Sequence, residues 1–208
     1  MRIVSLPFSE SECLQRVELI RQSVSQLQND GVISAWDERP KRLLDVGGAS
    51  GVFAYLFRDK GWGVEIVDPA PQGCFIEEYG IVYHKVRFDE SFDSSAYDLI
   101  SMNYVLEHAR SPHELLKAAY SRLTAAGVLY IEVPDAIAFM RKDKEDDIFN
   151  SCHLWMFSVE SITQLLSKSG FEILLVQRKL SPRGHYSLCV LAKPELRTPE
   201  VIARYTQS

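Results

Sequence analysis

The chain has 208 residues, 46% hydrophobic and 25% charged, the composition of an ordinary globular protein with one sizeable core. A net charge of -5 argues against a general affinity for phosphate backbones, so no nucleic-acid partner is expected. No apolar run approaches the roughly 20 residues that span a bilayer, and no basic segment leads into a long apolar one, so no membrane partner and a cytoplasmic location are expected.

Residues 9–28 (SESECLQRVELIRQSVSQLQ) open on serines and acids and place Leu14, Val17, Ile20, Val24 and Leu27 at spacings of three and four, the period of an amphipathic helix. "KRLLDV" reads as a first strand, followed by a short helix from Val52 through Phe57 that ends near Gly61. "GVEIVDP" is a second strand closed by Pro69, and "GIVYHKVRF" a third. "YDLISMNYV" is apolar on both faces, which predicts a central fourth strand. Ser111, Pro112 and Glu114 fit the N-cap, N1 and N3 positions of a helix running to Leu123, with a capping box. "AAGVLYIEVPD" is a fifth strand, and Ser158 caps a helix carrying Ile162, Leu165 and Leu166 that stops at Gly170. "FEILLVQRK" and "YSLCVLAKP" close the sheet, the second as an edge partner reached through a Ser-Pro-Arg-Gly turn. Strands alternating with helices predict an α/β fold, a doubly wound and mostly parallel sheet.

Ligands of such sheets bind at the carboxyl ends of the strands, and Asp45, Asp68, Asp89 and Asn103 all fall at or just beyond such ends. The first of these ends is "LLDVGGASG", a loop poor enough in side chains to let a ligand lie against its backbone. A P-loop is excluded, because Gly51 is followed by Val52 and Phe53 rather than by a lysine. A dinucleotide fingerprint is not met either, since Gly47, Gly48 and Gly51 fit GxGxxG in no register. Asp45 would repel a pyrophosphate but would favour a ligand carrying an ammonium or sulfonium group. Cys13, Cys74, Cys152 and Cys189 contain no C-x-x-C pair, which predicts reduced thiols, no disulfide framework and no metal site.

With these residues assembled, the chain resembles the class I, Rossmann-like S-adenosylmethionine-dependent methyltransferases over residues 41–194. "LLDVGGASG" is similar to the family's first motif, with Asp45, Gly47 and Gly51 in place and a departure at Ala49, where the family usually has glycine. "YDLISMNYVLEHARSPHELLKAAYSRLTAAGVLYIEVPD" and "HLWMFSVESITQLLSKSGFEIL" resemble two further family phrases. The resemblance implies a seven-stranded sandwich with an antiparallel closing strand. It also implies an N-terminal helical cap over residues 1–40, an S-adenosylmethionine-binding domain over 41–194 and a tail over 195–208. Carried onto this chain, it implies that Gly47, Gly48 and Gly51 line the methionine part of the cofactor and that Asp68 holds the ribose hydroxyls. Phe88 and Asp89 would flank or hydrogen-bond the adenine, with Phe88 as a core aromatic the alternative. Asn103 and Tyr104 would face the sulfonium.

Methyl transfer needs positioning and a water-poor pocket and requires no metal, so the acceptor side is sought among bases. His108, in "LEH", and His153, after a charged insertion, are the candidate catalytic residues. The competing readings are a His108 that satisfies local backbone groups and a His153 that anchors a lid. "RKDKEDD" reads as a solvated lid loop, and Tyr104, Phe139, Trp155 and Phe157 as pocket lining or core. The expected function is methylation of a small-molecule acceptor at oxygen or nitrogen. A non-catalytic binding or regulatory protein of the same fold and an NAD(P)-dependent oxidoreductase are the alternatives.

Overall fold

The computed structural model describes residues 7–36, 39–58, 61–70, 80–142, 149, 152–180 and 186–195. Most of the charged insertion, the Ser-Pro-Arg-Gly turn, Cys74, His185 and residues 196–208 lie outside these segments. Helix α1 (Pro7–Asn29) forms where the spacing predicts it, with Val17, Ile20 and Val24 buried. Its stripe is turned, however: Arg16 is buried and Leu14 is 50% exposed. Arg16 reaches inward to the Glu132 carboxylate, and a helix that directs residue 16 at the sheet carries residue 14 about 200° around its axis, out to solvent.

Behind α1 lies a seven-stranded sheet built from β1 (Arg42–Val46), β2 (Gly63–Val67), β3 (Val82–His84), β4 (Tyr97–Asn103), β5 (Leu123–Pro134), β6 (Phe171–Leu180) and β7 (Tyr186–Pro194), in the order β3-β2-β1-β4-β5-β7-β6. The pairs among β1 to β5 are parallel, and β7 runs antiparallel to both β5 and β6. This is the Rossmann-like sandwich expected from the sequence. Side chains alternate across each strand, so Leu43, Leu99 and Val128 pack under α1 and α2 (Val52–Arg58). Leu44, Ile100 and Leu129 pack on the opposite face, against α3 (Pro112–Tyr120) and α4 (Val159–Lys168). Among the described residues no helix is long and apolar enough to cross a membrane.

Four sequence expectations need correction. β7 is an interior strand and β6 is the outer one, because the antiparallel return from β6 fills the slot beside β5. The nearly continuous burial of β7, against the half-exposed β6, is the consequence. β3 covers three residues rather than the nine of "GIVYHKVRF", since the chain leaves the sheet to bury Phe88 edge-on against Phe92, ring centroids 5.5 Å apart. Ser111 makes no side-chain cap bond, so the capping box with Glu114 is not formed, although Pro112 does occupy the first turn. Finally, α3 stops at Tyr120 instead of Leu123: the Arg122 guanidinium donates to the Ala118 carbonyl and to the carbonyls of Glu90 and Phe92, pulling the chain off the helix axis into β5. The Ser158 cap does form, in a reciprocal box with Ser161.

Candidate functional site

Strand order reverses between β2-β1 and β4-β5, and the β1 and β4 ends open there side by side. Asp45, the penultimate residue of β1, is 1% exposed and accepts from the Ser101 hydroxyl at 2.7 Å and from the Asn103 amide at 3.2 Å. Burial pushes its carboxyl up to about 7, against the pull of Ser101, Arg16 and Asn103. The glycines beyond it are required by shape. Gly47 sits at φ +69°, where a β-carbon would stand 2.6 Å from a Val105 methyl; at Gly48 it would stand 2.7 Å from an Asp45 carboxylate oxygen. Gly51, also at positive φ, turns the chain into α2 by accepting from the Tyr55 amide.

Ala49 takes a left-handed φ of 42°, which accounts for the family's glycine there. Its amide donates to Asp68 Oδ2 at 3.0 Å, and Asp68 Oδ1 accepts from the Ala70 amide at 2.8 Å. The acid at the end of β2 therefore braces the glycine loop. At the end of β4, Asn103 spends its amide nitrogen on Asp45, while its Oδ1 is buried without a partner. Tyr104 turns through φ +56°, and its ring leaves this group: the hydroxyl donates to Glu132 at 2.8 Å and lies 2.6 Å from Ser187 Oγ.

A cleft of about 740 Å³ runs along this rim, with Gly47, Phe88, Asp89 and His108 in its walls. Four of the expected site residues thus meet in one space. Phe88 is at once cleft wall and core aromatic, being 6% exposed. Asp89 is exposed, and hydrogen bonds from the Ser91 hydroxyl and amide hold its carboxyl below the ordinary value. Asp45, Gly48 and Asp68 are chain neighbours of the wall residues Val46, Gly47, Val67 and Pro69, and the Tyr104 hydroxyl faces Glu132.

Beyond the β4 end, Leu106–His108 forms a single 3₁₀ turn that carries one acceptor-side candidate, His108. His108 Nδ1 lies 2.8 Å from the Cys152 carbonyl, and the His108 and His153 rings are 4.8 Å apart between centroids. The amides of Leu154 and Trp155 donate to the Glu107 carbonyl, and the Trp155 indole donates to that of Ala109. The segment after the insertion is therefore clamped onto the LEH turn. Phe157 is core, whereas Trp155 is 45% exposed.

Two features escaped the sequence reading. Glu107 is 1% exposed, both its carboxylate oxygens lack hydrogen-bond partners, and burial pushes it up to about 7. On β5, Glu132 is equally buried but accepts from Arg16, Tyr104 and Tyr130. Burial alone would raise Glu132, yet Arg16 overrides it and holds the carboxyl below its ordinary value. A lone acid inside the two-sided apolar run "LYIEVP" is the signal that could have revealed Glu132.

A family model described as "Methyltransferase domain" matches residues 18–176 of this chain. No curated protein matches. Among solved structures, the 1,6-didemethyltoxoflavin-N1-methyltransferase of Burkholderia thailandensis, with bound 1,6-didemethyltoxoflavin and S-adenosylhomocysteine, is 17% identical, with 92% of each chain covered and a TM-score of 0.63. A SAM-dependent methyltransferase from Thermotoga maritima is 19% identical over 89% of each chain, with a TM-score of 0.62. One from Methanosarcina mazei is 15% identical, covering 78% of this chain and 96% of its own, with a TM-score of 0.61. At these identities the structural likeness is one of fold.

Proposed function

This chain belongs to the methyltransferase-domain family and is an S-adenosylmethionine-dependent methyltransferase, and on that premise we propose that its acceptor is a small molecule methylated at oxygen or nitrogen. The residues present fit the donor. The observation that carries the fit is the pairing of the buried, unpartnered Asn103 Oδ1 with the neighbouring Asp45 carboxylate, two acceptors suited to a cationic amino-acid moiety and hostile to a pyrophosphate. Gly47, Gly48 and Gly51 would line its methionine part, Asp68 its ribose and Phe88 with Asp89 its adenine. Tyr104, whose hydroxyl is committed to Glu132, would contribute through its main chain at the sulfonium side.

Bound S-adenosylmethionine supplies an electrophilic methyl group. The chain's own part is to hold the acceptor in line and to keep water out, and to take up a proton where the acceptor has one to lose. His153 and His108 are our candidates for that last task, since they stand ring to ring at the rim and His108 is in the cleft wall. The 1,6-didemethyltoxoflavin bound to the Burkholderia enzyme supports a small-molecule acceptor. We take residues 41–194 as the cofactor-binding unit and residues 1–40 as its cap, with α1 sharing the core of the sheet.

A ligand panel by calorimetry tests this reading. S-adenosylmethionine and S-adenosylhomocysteine should bind and NAD and NADP should not, and Asp68→Ala should lose roughly 1.5 to 3 kcal/mol of cofactor affinity. Undiminished affinity in that variant removes the ribose assignment. NAD binding tighter than S-adenosylhomocysteine overturns the whole reading.

A further inference from the structure

We propose that Glu107, His108 and His153 form a binding site for one divalent cation of the zinc class beside the cleft. Their ligand atoms all lie within 4.8 Å of one another, although the two histidines come from separate segments of the chain. The second observation is the state of Glu107. A carboxylate 1% exposed, with neither oxygen hydrogen-bonded, leaves an unmet demand for positive charge at the centre of this group. The three side chains converge without satisfying that demand among themselves, and a cation would meet it.

The surroundings are already those of a metal site's outer shell. A carbonyl can only accept, so the contact between His108 Nδ1 and the Cys152 carbonyl places the proton on Nδ1 and leaves Nε2 with a lone pair for a metal. The same contact, with the Leu154 and Trp155 amides on the Glu107 carbonyl, ties both ligand-bearing segments together. Ligand atoms about 2.0 to 2.2 Å from one tetrahedral ion stand ~3.3 to 3.6 Å apart, so a pair at the 4.8 Å limit must close by about 1.2 to 1.5 Å. The exposed His108 and half-buried His153 can rotate by that much.

Two imidazole nitrogens and one carboxylate oxygen suit zinc and its first-row neighbours, whereas magnesium and calcium favour oxygen shells. Three protein ligands leave a further position open. An acceptor hydroxyl or amine bound there would ionise more readily, with the imidazoles serving as ligands rather than as bases. That consequence rests on the methyltransferase reading above; the binding of the ion does not.

The test uses untagged, metal-stripped full-length protein titrated with Zn²⁺ by calorimetry, and with Co²⁺ followed by visible absorption. One ion per chain is expected. Affinity should fall by at least about 100-fold in His153→Ala and in Glu107→Gln, while Cys152→Ser should leave it unchanged. Equal Zn²⁺ affinity in the parent and in the His153→Ala/Glu107→Gln double variant overturns the proposal, as does binding lost only in Cys152→Ser. S-adenosylhomocysteine affinity, measured on the same samples, reports separately on the cofactor site. A chain that binds Zn²⁺ but not S-adenosylhomocysteine would keep the metal site and remove the function proposed for it.

Discussion

Glu132 and Glu107 are each 1% exposed, yet their surroundings are opposite. Glu132 accepts from Arg16 at 2.5 Å, from Tyr104 at 2.8 Å and from Tyr130 at 2.9 Å, three donors drawn from helix α1, the β4 rim and its own strand. Glu107 has no donor from another residue on either oxygen. The first acid fastens α1 to the sheet, and its charge is neutralised within the fold. The second sits buried in the turn whose next residue, His108, is in the cleft wall, with its carboxylate unpartnered. Burial alone therefore does not tell a structural acid from a functional one; what distinguishes them is whether the fold itself supplies the partners.

The largest effect should come from breaking the satisfied side. Arg16→Met leaves Glu132 buried and unpaired, and urea unfolding should show a loss of about 3 to 5 kcal/mol. A loss below about 1 kcal/mol would mean that α1 is not held by this pair.

Asp45 is the intermediate case, a buried acid with neutral donors and no cation in direct contact. Its folded pKa, about 7, is raised above the ordinary 3.8. The folded state thus holds the proton more tightly, and the associated stability is complete below about pH 4 and lost as pH rises through 7. Each unit of displacement is worth about 1.4 kcal/mol. Asp45→Asn should flatten this part of the stability profile between pH 4 and 7, and an unchanged slope would place the titration elsewhere. A cationic cofactor favours the ionised form, so its binding at pH 6 should release a proton, visible as a buffer-dependent heat that the Asn variant lacks.

Tyr104→Phe removes one of the three donors from Glu132 and should cost about 1.5 to 3 kcal/mol, the range for hydrogen bonds to charged groups, unless Ser187 moves in to replace it. Thermal unfolding of Tyr104→Phe beside a Tyr104→Phe/Ser187→Ala double variant separates the two outcomes. The smallest effect belongs to the unsatisfied side. In metal-stripped protein, Glu107→Gln removes no hydrogen bond and should stay within about 1 kcal/mol of the parent or exceed it. A larger loss would reveal a partner for Glu107 and erase the contrast with Glu132.

Most of the sheet was legible because its signals are local. Two-sided apolarity marked β4, glycine and proline marked the loop ends, and the Ser158 cap formed as the sequence suggested. The glycine loop was legible for the same reason, its backbone geometry being written in consecutive residues. What was missed depended on distant partners. Leu14 and Arg16 exchanged places because a carboxylate more than a hundred residues away attracts the cation. The Glu107, His108 and His153 group is invisible to spacing rules, which search for ligands close in sequence. The place of β7 could have been inferred: a strand with the run "LCVLA" asks for cover on both faces, which an outer position does not give.

That placement also bears on how the protein is made. Among the described residues β7 is the last strand, yet it supplies the only bridge between β5 and β6. While a ribosome is still extending the chain toward residue 194, β5 has a bare edge over Leu129–Pro134, and β6 has no strand to join. An unpaired apolar edge of this kind is a template for misassociation. Polypeptides interrupted before Tyr186 should for that reason be a species that chaperones must shield, and the sheet should close only once residues 186–194 have been made.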